Sequence, residues 1–339
     1  MFNSEKILTD RQTDYLSVSN ANCLKGIFAI CVLIHHLYQR SGLFRDTLVG
    51  MALQYLGVLA VSIFFFLSGY GLTYSYKKKG KQYILDFPKH RILPFYLMIC
   101  LLNIFYLIEH VILSKSITFL GILKSFSFGG TVIGNGWYLQ VQLILYIAYY
   151  LSYRYIVNEK NKRGALILAY ILYFVIMWKL GFSSIWFVTV GVFILGIYWA
   201  SFKTDIDKFI RNNKKRCLVF IFALLAFGIF TILYKIALSE ITSTIYMALA
   251  MGFFTILIML IIYQIPINCL ATRFLGKISL GIYVTQGIAF DLFHSDLLYV
   301  ENPYLYCLAV TLATLILAYL FQPLVDIVYK VCGGKRSGN

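Results

Sequence analysis

Apolar runs of about 20 residues recur along the whole chain, and they restrict its fold more than any other feature of the sequence. A helix of that length crosses roughly 30 Å of hydrocarbon. Sixty per cent of the 339 residues are apolar and only 13% are charged. A soluble chain of this size shows amphipathic stripes instead. The sequence therefore predicts an all-α fold, a polytopic membrane bundle of about ten transmembrane helices.

The predicted membrane domain covers residues 21–329. A polar segment, 1–20, precedes it and a basic tail, 330–339, follows it. Because no small-residue cleavage site follows the first apolar run, we expect that run to stay in the protein as an anchor. The ten spans are predicted near 21–39, 51–76, 92–113, 137–156, 165–179, 182–202, 217–236, 241–263, 278–297 and 303–329.

The net charge of +16 follows the membrane topology. With a cytosolic N-terminus, 24 of the 30 lysines and arginines fall on the cytosolic side of the ten spans, loop by loop. That bias is the positive-inside rule. It predicts that both termini are cytosolic, with the lipid bilayer as the partner of the basic loops, and it gives no reason to expect nucleic-acid binding. The seven cysteines include no CxxC pair, so neither a disulfide framework nor a metal site is predicted.

Three connections are long. Two of them, 77–90 and 203–216, are strongly basic. They either lie along the anionic inner leaflet or act only as topology determinants. The third, 115–136, is rich in glycine and falls on the outer side. It is a candidate re-entrant loop over a cavity, because irregular backbone survives at membrane depth only against protein or water.

The first span, "CLKGIFAICVLIHHLYQRSG", carries ionisable side chains in an apolar helix. His36 lies 11 residues after Lys25, which places both within roughly 20° of one face and about 16 Å apart along the axis. His35 lies about 80° away. The small residues Ala29 and Val32 between them suggest the wall of a channel for a long, thin molecule.

The alternative interpretation of these residues is structural. Lys25 then extends its amine to the headgroups, and the histidines sit at the outer interface beside Tyr38. Both interpretations remain open at this point.

Five short motifs, in order, resemble one known family. "LKGIFAICVLIHH" is similar to the first-helix signature of the acyltransferase-3 superfamily, in which a basic residue precedes a histidine by 11 positions. "VSIFFFLSGYGLTYSY", with Ser68 and Gly69, resembles its phenylalanine-rich second span. The remaining matches are "HRILPFYL" with Arg91 and Pro94, "WYLQVQLILY" with Trp137 and Tyr146, and "LGKISLGIYVTQ" with Ser279 and Tyr283.

The sequence departs from the family pattern at two positions. Lys25 stands where arginine is usual, so the charge is kept and the forked geometry of a guanidinium is not. Gln286 stands where a histidine is common.

The resemblance implies an integral-membrane O-acyltransferase. Such an enzyme moves an acyl group, most often acetyl, from acyl-CoA to a carbohydrate hydroxyl, in surface or exopolysaccharide biosynthesis at the plasma membrane, here a bacterial inner membrane. Acetyl-CoA is the donor substrate, and no permanently bound cofactor is expected. A hydroxyl becomes a good nucleophile when a base takes its proton, and a buried, neutral imidazole suits that task. His36 is the candidate base, and His35 is the second candidate catalytic residue, which either orients His36 or simply packs against a neighbouring helix.

Lys25 and Arg91, at the cytosolic ends of spans, are candidates for holding the phosphates of coenzyme A. The alternative is that both residues only follow the positive-inside rule and do not bind the donor. Glu109, with His110, Asp291 and His294, lies at outer span ends and forms either an acceptor vestibule or a wet interface. Ser68 with Gly69 suggests close helix packing more than a reacting serine, and Trp137 an interfacial belt more than a pocket residue. The predicted pocket residues are Ser68, Trp137, Tyr146, Ser279, Tyr283, Gln286 and Glu109.

Two other classes share some of these features. A transporter or flippase for a glycan or lipid-linked precursor has buried polar groups too, but no inverted repeat is visible. A haem-binding redox protein needs histidines facing each other at one depth, and the five histidines offer few such pairs. The oligomeric state is not indicated by the sequence.

Overall fold

The computed structural model describes residues 15–333, and within them the chain forms helices and no strands. The predicted segment 1–20 and tail 330–339 therefore lie largely outside the described residues. A single π-helical turn, Pro88–Ile92, leads into the fourth helix, and a 3₁₀ turn, Ser184–Trp186, precedes the eighth. The thirteen α-helices of the described part are α1 (Val18–Ser41), α2 (Leu48–Lys79), α3 (Lys81–Leu85), α4 (Leu93–Ile112), α5 (Phe119–Phe126), α6 (Trp137–Tyr155), α7 (Glu159–Lys179), α8 (Val190–Ser201), α9 (Lys203–Ile210), α10 (Asn213–Ile236), α11 (Glu240–Gln264), α12 (Leu270–Leu292) and α13 (Pro303–Val331).

The prediction of an all-α polytopic membrane bundle is confirmed. Ten of the helices overlap the ten predicted spans, and α3, α5 and α9 are short pieces in the three long connections. Eight of the ten are long and apolar enough to cross a membrane by length and composition. The other two, α6 and α12, are more polar because they carry the glutamines and tyrosines that face the interior described below.

The ninth predicted span, 278–297, is misplaced along the chain. The helix begins at Leu270 and ends at Leu292. Arg273 and Lys277 lower the hydropathy of its first turns without interrupting the helix, so the apolar run starts later than the helix does. Its predicted end ran into the non-helical segment before Asn302, whose side chain accepts from two backbone N–H groups and starts α13.

Polar residues begin most of the long helices, as capping requires. The hydroxyl of Ser17 accepts from the Asn20 N–H at the start of α1, and Thr47 accepts from the Gly50 N–H at the start of α2. At the other end of α1, Gly42 has a positive φ of 69° and its N–H donates to the carbonyl of Tyr38. These caps fix where α1 ends and therefore how far its histidines lie from the outer surface.

Glycines bring the central helices into backbone contact. α1 packs against α2, α12 and α13, and α2 packs against α8. Gly26 of α1 lies against the backbone of Gly276 of α12, and Gly69 of α2 lies against the Phe193 carbonyl of α8. Such contacts need residues without a Cβ. Helix α1, which carries Lys25 and both histidines, is thereby held in the centre of the bundle.

The alternation of ten helices predicts the sides of the loops. Lys79 is the last residue of α2 and Lys124 lies in α5, so one crossing, α4, separates them. In a background whose seven native cysteines are replaced, we expect an impermeant thiol reagent added to intact cells to label Lys124→Cys and not Lys79→Cys. In inverted vesicles the labelling should be reversed. Labelling of both from one side contradicts the topology and with it a cytosolic location of Arg91.

Candidate active site

His36 and Gln286 meet in the outer third of the bundle. The Nδ1 atom of His36 lies 3.1 Å from Oε1 of Gln286, although 250 positions separate the two residues. Gln286 is fully buried, and the Phe290 ring, one turn further along α12, meets the His36 ring edge-on at 6.2 Å between centroids. The contact lies six residues before the end of α12, about 9 Å below its outer end.

His35 points away from this contact. Its Nδ1 lies 2.8 Å from the carbonyl oxygen of Leu53 in α2, to which it donates. The imidazole rests against Gly57, where even a Cβ atom would overlap Cγ, Cδ2 and Nε2 of the ring. The two histidine rings are 5.0 Å apart. His35 is thus packed into the α1–α2 contact.

Lys25 lies on α1, half-buried, about 16 Å from His36 along the helix axis, toward the end of the bundle that is predicted to be cytosolic. Ala29 and Val32, which the sequence suggested as a channel wall between them, are fully buried in the hydrophobic core. In this structure the stripe is therefore a packed helix contact and not an open wall.

A line of polar side chains crosses the interior beside α1 instead. We call it the polar column: Arg91, Tyr146, Ser68, Gln142 and Tyr138. The side-chain NH₂ group of Gln142 donates to the hydroxyl of Ser68 at 2.9 Å. The Tyr138 hydroxyl donates to the side-chain carbonyl oxygen of Gln142 at 3.5 Å. Tyr146 lies beside both Ser68 and Arg91.

The column ends near His36 at one end and, at the other, at the end of the bundle that is predicted to be cytosolic. The Tyr138 ring packs on the Tyr283 ring, with centroids 5.3 Å apart, and Tyr283 is one turn before Gln286 on α12. At the inner end Arg91 lies among the tyrosines Tyr83, Tyr146 and Tyr329. Polar groups in hydrocarbon are costly, so a column of them indicates a path for a polar molecule.

Ser68 and Gly69 are adjacent in the sequence but have different structural roles. Gly69 packs α2 against α8, as described above, while the Ser68 hydroxyl faces the interior and accepts from Gln142. A packing point and a polar pocket residue are therefore adjacent in the sequence.

Two predicted pocket residues lie elsewhere. The Ser279 hydroxyl donates to the Gly276 carbonyl of its own helix at 3.0 Å. The Trp137 ring belongs to an aromatic group at the start of α6, 6.5 Å from the Trp186 ring. We do not place either residue in the site.

Glu109 belongs to an outer ion cluster with His110, Lys115, Asp291 and Arg40. Lys115 bridges Glu109 at 2.6 Å and Asp291 at 2.7 Å. His110 lies 2.8 Å from Glu109, and Arg40 lies 3.7 Å from Asp291. The cluster ties the outer ends of α1, α4 and α12 together above His36. Because its acidic groups are paired with its basic ones, it offers no large single-sign field to a ligand.

The connection 115–136 reaches into the bundle from the outer side. The Tyr283 hydroxyl donates to the Asn135 carbonyl at 2.7 Å, which puts Asn135 nine residues, about 13 Å, below the outer end of α12. Gly134 lies against Gly287. Further back, Asn103 and Ser125 exchange hydrogen bonds of 2.9 and 2.5 Å. The irregular backbone is thus satisfied by protein, as the re-entrant interpretation requires.

Sequence reasoning missed Gln142, Tyr138, Tyr83 and Tyr329. The first two stand in the "WYLQVQLILY" segment, where a glutamine amid apolar residues is the available signal. The other two are among 27 tyrosines, and nothing in the sequence distinguishes them.

Comparison with known proteins decides the family. The sequence profile of the acyltransferase-3 family, described as an acyltransferase domain, matches residues 18–322. The chain belongs to this family. Neither a curated protein nor a solved structure gives a significant match. This acyltransferase is an integral membrane protein, and the transporter and haem alternatives have no comparable support.

In this acyltransferase the matched region begins with α1 and ends in the middle of α13. It therefore contains His36, Gln286, the polar column and the outer ion cluster.

Proposed function

We propose that this acyltransferase moves an acyl group, acetyl foremost, from acyl-CoA to a hydroxyl of a cell-surface or secreted carbohydrate. We place it in the plasma membrane, the cytoplasmic membrane of a bacterium. The observation that carries the proposal is the continuous arrangement of His36 with Gln286, Tyr283 and the polar column, which ends at Arg91. A base in the outer third is thereby joined to a cation at the cytosolic end.

His36 acts as the general base in the proposed reaction. Its Nε2 lone pair takes the proton of the acceptor hydroxyl as that oxygen bonds to the thioester carbonyl carbon. The tetrahedral intermediate then collapses, the C–S bond breaks, and the thiolate of coenzyme A takes the proton from His36. The products are an oxygen ester and free coenzyme A, and the imidazole is neutral again.

The donor approaches from the cytosol in this proposal. The phosphates of coenzyme A carry several negative charges, which a cation at the membrane surface neutralises. Arg91, which lies among tyrosines of the polar column, and Lys25, which is on the same helix as His36, are the basic groups that we assign to this task. The pantetheine chain is long and thin, and it carries amides that suit hydrogen-bonding partners such as Ser68, Gln142 and Tyr146.

The acceptor approaches from the outer side. There the re-entrant segment and the outer ion cluster surround the outer end of the site. Aromatic side chains in this region, Phe290 and Tyr306 with centroids 6.5 Å apart, offer apolar surfaces to a sugar ring.

Replacement of Lys25 tests the donor part. We expect Lys25→Ala to raise the apparent KM for acyl-CoA more than it lowers kcat, because a phosphate contact binds the substrate and the transition state alike. Lys25→Arg should keep most of the activity. Lys214→Ala, which removes an exposed cytosolic lysine, is the control. If the KM for acyl-CoA is unchanged in Lys25→Ala, Lys25 contributes only to the membrane topology and not to donor binding.

Mass analysis of surface glycans tests the function in cells. Cells that carry the gene should show glycans heavier by one acyl group per modified hydroxyl than cells without it. Mild alkali should remove the difference because the bond is an ester. Identical glycan masses in both strains, under conditions where the protein is made, speak against a carbohydrate acceptor.

A further inference from the structure

The side-chain amide of Gln286 is held at both ends. Its Nε2 donates to the carbonyl oxygen of Tyr283 at 2.8 Å, and its Oε1 faces Nδ1 of His36 at 3.1 Å. The side chain is fully buried between α12 and α1. The amide group cannot flip by 180° in this position. The backbone carbonyl of Tyr283 only accepts hydrogen bonds and therefore requires the NH₂ group of Gln286 on its side.

This orientation determines where the proton of His36 lies. An amide oxygen cannot donate, so the hydrogen bond at 3.1 Å requires a proton on Nδ1 of the imidazole. A neutral imidazole carries one N–H only. The other nitrogen, Nε2, is then left with its lone pair free.

We infer that Gln286 is a positioning residue that fixes His36 in the Nδ1–H tautomer and so makes Nε2 the base. The inference rests on the proposed function for its catalytic consequence. The tautomer itself follows from the two hydrogen bonds. It also gives Gln286, which the sequence places among the pocket residues, a specific role toward His36.

The arrangement has a chemical advantage in a membrane. A carboxylate in the same position would also accept from the Nδ1–H group, but it would place a costly charge in hydrocarbon. A neutral amide avoids that cost. When His36 becomes an imidazolium during the reaction, its Nδ1–H keeps the same acceptor, so no group has to reorient.

His35 provides a comparison within the same helix. Its Nδ1 also donates to an oxygen, the Leu53 carbonyl, so its tautomer is the same. Its Nε2 rests against Gly57. The two histidines therefore differ in what holds the tautomer: a backbone carbonyl of α2 for His35, and the side chain of Gln286 for His36.

Nitrogen NMR of the whole protein in detergent, labelled with ¹⁵N-histidine, reads the tautomer directly. The chain contains only five histidines, and a His36→Asn sample assigns the His36 signals by difference. We expect a protonated Nδ1 and a bare Nε2 in the wild type. Gln286→Leu, which has no acceptor, should give a mixture of tautomers. Gln286→Glu as the neutral acid donates its O–H to the Tyr283 carbonyl and keeps a carbonyl oxygen toward His36, so it should restore the wild-type pattern.

Kinetics on the same samples separate positioning from structure. Gln286→Leu should lower kcat by about tenfold or more without raising the KM for acetyl-CoA, and Gln286→Glu should recover much of the loss. Gln322→Leu removes another buried amide, on α13, and should leave both the His36 signals and kcat unchanged.

Two results overturn the inference: a proton on Nε2 of His36 in the wild type, or an unchanged His36 signal in a folded Gln286→Leu protein. Because the NMR signals need no turnover, they decide the tautomer even if the protein acylates no carbohydrate. A correct tautomer together with an inactive enzyme would contradict only the proposed function.

Discussion

His36→Ala is expected to abolish acyl transfer while the protein still reaches the membrane and binds acyl-CoA. Loss of a general base costs about 10²–10⁴-fold. His35→Ala should cost less, since the imidazole of His35 packs against Gly57 and donates to the Leu53 carbonyl. The measurement is the rate of coenzyme A release from purified variants, together with donor binding by calorimetry.

Two results from the His36→Ala and His35→Ala variants would contradict the proposed mechanism. Near-normal glycan acylation in His36→Ala removes the base from the mechanism. If His35→Ala is inactive and His36→Ala is active, a histidine is still the general base, but it is His35 and not His36.

Gly276→Ala is expected to damage the fold as well as the activity. A Cβ at this position overlaps the Asn22 carbonyl of α1, so α1 and α12 must move apart. Overpacking of this kind costs about 1–3 kcal/mol, and the separation also breaks the His36–Gln286 hydrogen bond. We expect a lower thermal midpoint by size-exclusion chromatography in detergent and a large loss of turnover.

Gly228→Ala is the matched control for that variant. Gly228 lies within α10, and a Cβ there meets no atom within 4 Å. The same chemical change should leave stability equal or slightly higher, because alanine favours a helix by about 1 kcal/mol over glycine. Equal stability of both variants shows that the close contact between α1 and α12 does not hold the site together.

The divergence of His35 and His36 is what a helical wheel predicts. Helix α1 is regular from Val18 to Ser41, so a rotation of about 100° per residue separates the two rings and aligns His36 with Lys25. Eight of the ten long helices also follow from the length of their apolar runs, and α6 and α12 are the exceptions. Local rules were sufficient for these features.

Local rules such as helical periodicity do not predict contacts between segments that are distant in the sequence. The partner of His36 lies 250 positions away, and the bridge from Lys115 to Asp291 joins a loop to another helix. Pairings of this kind depend on which helices are neighbours, and periodicity does not encode that. The start of α12 was misplaced for a different reason, since charged first turns hide a helix from a hydropathy window.

The most direct test of the central claim uses purified protein, acetyl-CoA labelled in the acetyl group, and glycan from cells that lack the gene. The account predicts free coenzyme A and an equal amount of label on the glycan as an alkali-labile ester, with neither product in His36→Ala. An intact thioester in the presence of folded wild-type protein and glycan would contradict it.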